Sequence, residues 1–221
     1  MGANPAWHPR EPEIGNDRAC CKPARLRMAP PDRYIASMSV PLSAALDPGP
    51  EPDRADILVV PHPSLKQPAR KVLPADADAV RALLPRMWAA MYAAPGIGLA
   101  APQVGSRLRL AVVDLMPNHR GAPMTLVNPE VVAQSTGLAT REEGCLSLPG
   151  MYADVTRPAT VRVRYTDAGG ARQEIQADGL LAACLQHEID HLDGILFTDH
   201  LSILKRNMIL RRLAKELRQK A

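Results

Sequence analysis

The string Gln186-His187-Glu188-Ile189-Asp190-His191 constrains this chain more than any other feature. Two histidines four residues apart can bind one metal ion if the segment is helical, because 3.6 residues per turn place both imidazoles on one face. Glu188 then lies about 100° around the helix from His187, close enough to hold a water molecule without coordinating the ion. The string therefore predicts a helix with a metal-dependent hydrolytic site. Two solvated surface histidines are the alternative that the string alone leaves open.

A hydrolytic site of this kind needs a third protein ligand. The metalloprotease spacing HExxHxxGxxH fails here, because Phe197 stands in the last position. Cys184 lies roughly 7.5 Å along the helix from the midpoint of the histidine pair, too far for a short side chain, so an apolar wall is its better interpretation. Cys145 completes a Cys-His-His set if residues 142–150 cross the helix. A buried free cysteine is the alternative for Cys145.

A further motif, GIGLAAPQVG at residues 96–105, comes before the other two. Ala101 breaks the dinucleotide-binding pattern GxGxxG, and no lysine follows to make a phosphate loop, so nucleotide binding is not expected. Glycines and small alanines instead predict a backbone that stays open to a ligand, with the side-chain amide of Gln103 as a donor. A tight turn before the next strand is the alternative for this loop alone.

In this order and spacing, GIGLAAPQ, EGCLS and QHEIDH resemble the peptide deformylases, whose motifs are GIGLAAxQ, EGCLS and QHExDH. The resemblance covers about Ile57 to the C-terminus. It implies a metal-dependent hydrolase that removes the formyl group from the N-terminal formyl-methionine of newly synthesised polypeptides. It also implies one divalent metal ion, Fe²⁺ in the first place, with Zn²⁺, Ni²⁺ or Co²⁺ as substitutes.

The resemblance further implies a role for each matching residue. The metal ligands are expected to be Cys145, His187 and His191. Glu188 is expected to be the general base and acid, while Gln103 and the backbone N–H of Leu146 stabilise the oxyanion. The expected substrate-binding residues are Ile97 and Gly98, along which the peptide backbone adds, together with Gly144, and Leu180, Ala183 and Cys184, which line the pocket for the methionine side chain.

Two other functions are compatible with parts of the sequence. A general zinc endopeptidase is favoured by HExxH and disfavoured by Phe197 and by the Cys145 segment. A non-catalytic ribosome-binding metal domain is disfavoured because Glu188 and Gln103 would have no task in it.

The segment from Lys205 onward is strongly basic, with seven Lys and Arg residues against Glu216 alone. Its apolar residues form a stripe that can dock on the domain: Ile209, Leu210, Leu213 and Leu217. A solvated helix whose cations complement the macrodipole is one interpretation. The resemblance implies another, in which this helix contacts the ribosome.

Charge and cysteine usage limit the remaining classes. The net charge of the whole chain is only +4, so DNA is not expected as a partner. No apolar run approaches the ~20 residues of a membrane span. The four cysteines are unevenly spaced and no signal-peptide core is present, so we expect a reducing, cytoplasmic setting without a disulfide framework.

The first 55 residues contain 10 of the 22 prolines and few large aliphatic residues. Such a segment buries too little apolar surface to offset its ordering entropy. We therefore expect a disordered Pro-rich extension over residues 1–55 and a catalytic domain over residues 56–221. A translation start at Met38 would remove most of this extension.

Hydrophobic patterning in residues 56–221 predicts an α+β fold. We expect mixed or antiparallel sheets packed around a central helix that carries HExxH, followed by a C-terminal helix. The expected elements are a buried strand at 57–60, a helix from Asp76 or Asp78 that Pro85 kinks or splits, strands at 108–113 and 124–127, a hairpin of 161–165 with 172–176, a helix from Asp178 or Gly179, and a helix from about Ser202.

Overall fold

The structure, a computed structural model, describes residues 55–115 and 123–220. The extension predicted from the sequence lies outside these residues apart from Ala55. Three α-helices occur in the described part: α1 (Ala77–Ala93), α2 (Gly179–Leu192) and α3 (Ile203–Lys220). Seven strands occur there: β1 (Gly98–Ala100), β2 (Leu110–Val113), β3 (Met124–Gln134), β4 (Leu138–Cys145), β5 (Leu148–Pro158), β6 (Thr160–Thr166) and β7 (Arg172–Asp178).

The strands form two antiparallel sheets. The larger sheet has the order β1-β2-β3-β6-β7, so that β1 and β7 are its edges. The smaller sheet pairs β4 with β5 through a turn at Leu146 and Ser147. The α+β class expected from the sequence is confirmed, and every strand pair within these sheets is antiparallel.

The larger sheet is covered by a helix on each face. Along β2, Ala111 and Val113 pack with α2, while Leu110 and Val112 pack with α1. This alternation follows from the two-residue period of a strand. The helix α2 is therefore nearly enclosed, and nine of its fourteen residues are buried. The predicted central helix is confirmed.

The helix α3 packs on β5 and on a short 3₁₀ helix at Phe197–His200. Its predicted apolar stripe does dock: Leu213 is buried, and Ile209, Leu210 and Leu217 pack around it. The opposite side of α3 is exposed. Within the described residues, no helix is both long enough and apolar enough to span a membrane.

One expectation about local structure is wrong, and one alternative of another is excluded. Residues 57–60 are half-buried irregular chain rather than a strand, because single bonds from Leu58 N–H to Gln103 and from Val60 N–H to Ser147 replace a strand ladder. Pro85 does not split α1, which runs continuously through it. Pro85 is on the exposed side of α1, where water can satisfy the carbonyl that has lost its donor.

The other expected elements are present. The hairpin is formed by β6 and β7, and α2 begins at Gly179 with Asp178 as its N-cap residue. Asp76 precedes α1, but its carboxylate accepts hydrogen bonds from Arg70 and from the backbone N–H of Leu73 instead of capping the helix. The pair β4–β5 was not predicted as two strands, although an extended crossing of residues 142–150 was one of the expectations.

Candidate metal centre

Three residues from two elements meet beside the buried face of α2. His187 and His191 are one turn apart on this helix, and Cys145 is the last residue of β4. The Cys145 Sγ lies 3.1 Å from His191 Nε2, and the candidate ligand atoms of the three residues all lie within 4.8 Å of one another. The structure thus brings together the three side chains that the sequence singles out.

The chemistry of this donor set fits a divalent transition metal. One thiolate and two imidazoles are ligands for Fe²⁺, Zn²⁺, Co²⁺ or Ni²⁺, whereas Mg²⁺ and Ca²⁺ prefer oxygen. His191 and Cys145 already face each other at close range. Three protein ligands leave one position of a tetrahedral site open, which is the arrangement of a catalytic rather than a structural metal.

His187 is oriented by a partly buried ion-pair network that the sequence did not predict. Its Nδ1 lies 2.9 Å from Glu143 Oε2, which leaves Nε2 to face the other ligands. Arg157 donates to both oxygens of Glu143, at 2.6 and 3.1 Å, and to Asp190 at 2.7 Å. His200 lies 2.7 Å from the same Asp190 oxygen.

A sequence signal for part of this network exists. Glu143 precedes Cys145 by two residues, so both side chains must lie on the same face of an extended strand. Arg157 offers no such signal, because it is brought to Glu143 only by the pairing of β5 with β4.

The pKa values in this cluster follow from burial and from these contacts. Burial by itself raises the pKa of Glu143, but the hydrogen bonds from His187 and Arg157 lower it to about 2. Burial lowers the pKa of His187, yet its hydrogen bonds to Cys145 and Glu143 raise it well above the usual value. For His191, burial and the positive charge of His187 both lower the pKa.

Glu188 is buried with little compensation for its charge. Burial raises its pKa to about 7, and its Oε2 has no hydrogen-bond partner among the described residues. Its Oε1 fits against Gly98, where a Cβ would lie only 2.3 Å away. A carboxyl that changes protonation near neutral pH and has a free oxygen is suited to proton transfer.

The two predicted oxyanion groups flank Cys145. Gln103 is buried in a 3₁₀ turn after β1; its Oε1 accepts from Ala100 N–H at 2.8 Å, and its Nε2 donates to Ser147 Oγ at 3.1 Å. The same Nε2 lies 3.6 Å from Cys145 Sγ. Leu146 follows Cys145 in the turn between β4 and β5, so both groups lie next to the candidate ligand.

Two of the three residues predicted to bind the peptide backbone, Gly98 and Gly144, lie in strands. Gly98 begins β1, the edge strand of the larger sheet, and Ile97 precedes it. Gly144 lies under the ring of Tyr152, where a Cβ would be 2.6 Å from the ring. An open edge beside the site can accept a peptide by strand addition.

The residues predicted to line the methionine pocket lie on the first half of α2. Leu180 is partly exposed, whereas Ala183 and Cys184 are buried. Burial raises the pKa of the Cys184 thiol, and its Sγ lies 3.7 Å from the carbonyl of Ile97. Cys184 is outside the cluster of candidate metal ligands, as the spacing argument predicts.

Two nearby features complete the surroundings. The ring of Phe197 stacks on His187 with 6.3 Å between centroids, so the residue that breaks the metalloprotease pattern packs against a candidate ligand.

A cleft of about 400 Å³ lies on the other side of α2, beside Asp190 and His200, and none of the three candidate ligands lines it.

Comparisons with known proteins agree on one family. The family model for polypeptide deformylase matches residues 54–207. A peptide deformylase of Mesorhizobium japonicum is 48% identical over 166 residues, which are 75% of this chain and 94% of that protein. The crystal structure of a peptide deformylase from Legionella pneumophila superimposes with a TM-score of 0.70 at 44% identity, over 76% of this chain and 97% of the other.

A further solved structure is that of a peptide deformylase from Synechococcus elongatus in complex with actinonin. It has a TM-score of 0.67 and 43% identity, and the match covers 73% of this chain and 87% of that one.

Proposed function

Because the chain belongs to the polypeptide deformylase family, we propose a role for each of its site residues in the reaction of that family. The protein is a hydrolase of protein biosynthesis that removes the formyl group from the N-terminal formyl-methionine of newly made polypeptides. The observation that carries these roles is the approach of the Cys145, His187 and His191 ligand atoms to within 4.8 Å of one another. They meet beside the helix that also carries buried Glu188.

Cys145, His187 and His191 hold the metal ion in this proposal. The ion is Fe²⁺, with Zn²⁺, Ni²⁺ and Co²⁺ as substitutes that the same thiolate and imidazole donors accept. When bound, it supplies Lewis-acid chemistry that polarises the formyl carbonyl and activates water. Metal analysis of protein purified without oxygen should find about one iron per chain. Air exposure should inactivate the enzyme with oxidation of Cys145, because thiolates are open to oxidation.

Glu188 transfers the proton. Its carboxyl has a pKa raised to about 7 by burial and one unpartnered oxygen, so it can accept a proton from the attacking water and pass it to the leaving amine. Gln103 Nε2 and the Leu146 N–H donate to the formyl oxygen as negative charge develops there. Glu143 and Arg157 fix the ring of His187, which keeps the ligand geometry constant during turnover.

The substrate adds along β1 and enters with its first side chain towards α2. Ile97 and Gly98 pair with its backbone, Gly144 borders it on the opposite side, and Leu180, Ala183 and Cys184 surround the methionine side chain. Support comes from the position of β1 at a sheet edge and from the burial of Ala183 and Cys184. Actinonin, which the Synechococcus elongatus relative binds, should inhibit this enzyme.

The test is formate release from formyl-Met-Ala-Ser by anaerobically prepared, metal-loaded protein, with Glu188→Ala as the inactive control. Cleavage of unformylated internal peptide bonds is measured in parallel, since it would support a general endopeptidase. Absence of formate from a metal-loaded, folded sample would refute the proposed function.

We place the enzyme in the cytoplasm, where free thiols stay reduced, and propose the ribosome as a partner of α3. This helix docks through Leu213 and leaves cations such as Arg211 and Arg212 exposed, as contacts to a phosphate backbone require. The double change Arg211→Glu with Arg212→Glu should weaken co-sedimentation with ribosomes at low salt. Arg162→Glu with Arg172→Glu, on the β6–β7 hairpin, is the matched control, and equal effects of both pairs would contradict this contact.

A further inference from the structure

The residue of interest is Arg141, on the strand that supplies Cys145. Side chains alternate along β4, so Arg141, Glu143 and Cys145 follow one another on one face. Cys145 and Glu143 meet the histidines of α2 on that face. Arg141 correspondingly meets the beginning of α2, where its Nη2 lies 3.8 Å from the position that a Cβ on Gly179 would take.

Arg141 is poorly placed for stability. Among the residues that the structure describes it forms no hydrogen bond and no ion pair, and it is exposed. It lies at the N-terminal end of α2, where the helix dipole disfavours a cation. A second guanidinium, that of Arg157, lines the same small cleft. Because Arg141 has no partner among the described residues, its five N–H donors are free for a ligand that accepts hydrogen bonds.

The cleft beside Arg141 has room for about one oxygen atom. Its volume is about 10 Å³, close to that of a single water molecule by this measure. Glu143 and Arg157 also line it, but they are already bonded to each other. Ala183 borders the cleft as well, and this residue is assigned above to the methionine pocket. The cleft thus adjoins the place where the end of the methionine side chain is expected.

We propose that Arg141 adapts this enzyme to a formylated N-terminal methionine whose sulfur is oxidised to the sulfoxide. The sulfoxide oxygen lies in the small cleft and accepts a hydrogen bond from the guanidinium, while the reaction at the formyl group is unchanged. Oxidation turns an apolar side chain into a polar one, which a purely apolar pocket would reject because the buried oxygen would have no partner. The inference rests on the proposed function and names a further substrate class of the same site.

The experiment compares kcat/KM for formyl-Met-Ala-Ser with that for the same peptide carrying methionine sulfoxide in first position. The native enzyme should use the sulfoxide peptide within about tenfold of the unoxidised one. In Arg141→Leu, the ratio of sulfoxide to unoxidised substrate should fall about tenfold, the usual effect of losing one charged hydrogen bond. Arg141→Lys keeps a donor and should recover part of the ratio. Arg172→Leu removes an exposed arginine of β7 and should keep the native ratio.

The ratio cancels losses of metal or of folded protein, which affect both substrates equally, and melting curves check that each variant folds. A native enzyme that fails with both peptides would refute the proposed function itself. A native enzyme that uses only the unoxidised peptide, or an Arg141→Leu ratio within twofold of the native one, would overturn the inference alone. So would an Arg141→Lys variant that is as impaired as Arg141→Leu, because donation of a hydrogen bond would then not be the cause.

Discussion

Two carboxylate–guanidinium pairs in this protein share their chemistry and differ in their surroundings. Glu143 and Arg157 lie beside the candidate metal centre with 8% and 7% of their side chains exposed. Asp76 and Arg70 lie at the surface before α1, where 14% and 54% are exposed. Both guanidinium groups make two hydrogen bonds to their carboxylate.

The two carboxyl groups reach a similar pKa by different routes. For Asp76, hydrogen bonds from Arg70 and from the backbone N–H of Leu73 lower the pKa to about 2. For Glu143, burial opposes ionisation, and the hydrogen bonds from His187 and Arg157 must overcome it to give about 2. If one partner of the surface pair is removed, water solvates the charge that remains. If one partner of the buried pair is removed, the remaining charge is left inside the protein without compensation.

Glu188 gives the strongest test of this contrast, because it is a buried carboxyl to which no guanidinium of the described residues donates a hydrogen bond. Glu188→Gln should lower kcat/KM for formyl-Met-Ala-Ser about a thousandfold, since proton transfer is lost. The melting temperature of the metal-free protein should not fall, because an amide replaces a carboxyl whose ionised form burial disfavours. Glu174→Gln, in an exposed pair on β7, serves as the control. A loss of activity below tenfold would contradict the assignment of Glu188.

The next largest effect is expected from Glu143→Gln. Arg157 and His187 then lose the charge that balances them, so the free energy of unfolding should fall by about 3–5 kcal/mol. Metal affinity should fall about 10- to 100-fold, because His187 loses the group that orients its ring. Urea unfolding and metal titration measure the two effects. Unchanged metal affinity would show that Glu143 acts on stability only.

Asp76→Asn makes the corresponding change in the surface pair. Its effect on stability should be much smaller than that of Glu143→Gln, because water solvates the released Arg70. Formate release and metal affinity should stay at the native level. An equally large loss of stability in the two variants would remove the distinction between the pairs.

A further effect is expected on the acid dependence of stability. Both carboxyls have folded-state pKa values below their ordinary ones, so each contributes stability that is present above pH 4 to 5 and is lost as pH falls towards 2. Urea unfolding of the metal-free protein at pH 7, 5, 4 and 3 should show the loss. Glu143→Gln and Asp76→Asn should each flatten this dependence. A native protein that becomes more stable between pH 5 and pH 3 would give the opposite sign.

Local patterns predicted the helices better than the strands. Periodicity and turn residues correctly indicated α2, α3 and the β6–β7 hairpin, because these depend on neighbours in sequence. The apolar run at 57–60 was misleading, since a strand needs a partner ladder and this segment receives only isolated bonds. Pro85 does not split α1, because its position on the exposed side of the helix makes a lost backbone bond tolerable.

The candidate site divides in the same way. The sequence alone determined which kinds of ligand atom are available. It also determined that His187 and His191 share one helix face and that Glu188 lies close to them, because these residues are four or fewer positions apart. Only the tertiary structure decided that Cys145 reaches this helix, that Arg157 supports Glu143, and that Arg141 lies at the beginning of α2. Those contacts join residues far apart in the chain, and they depend on how β4, β5 and α2 pack rather than on any local spacing.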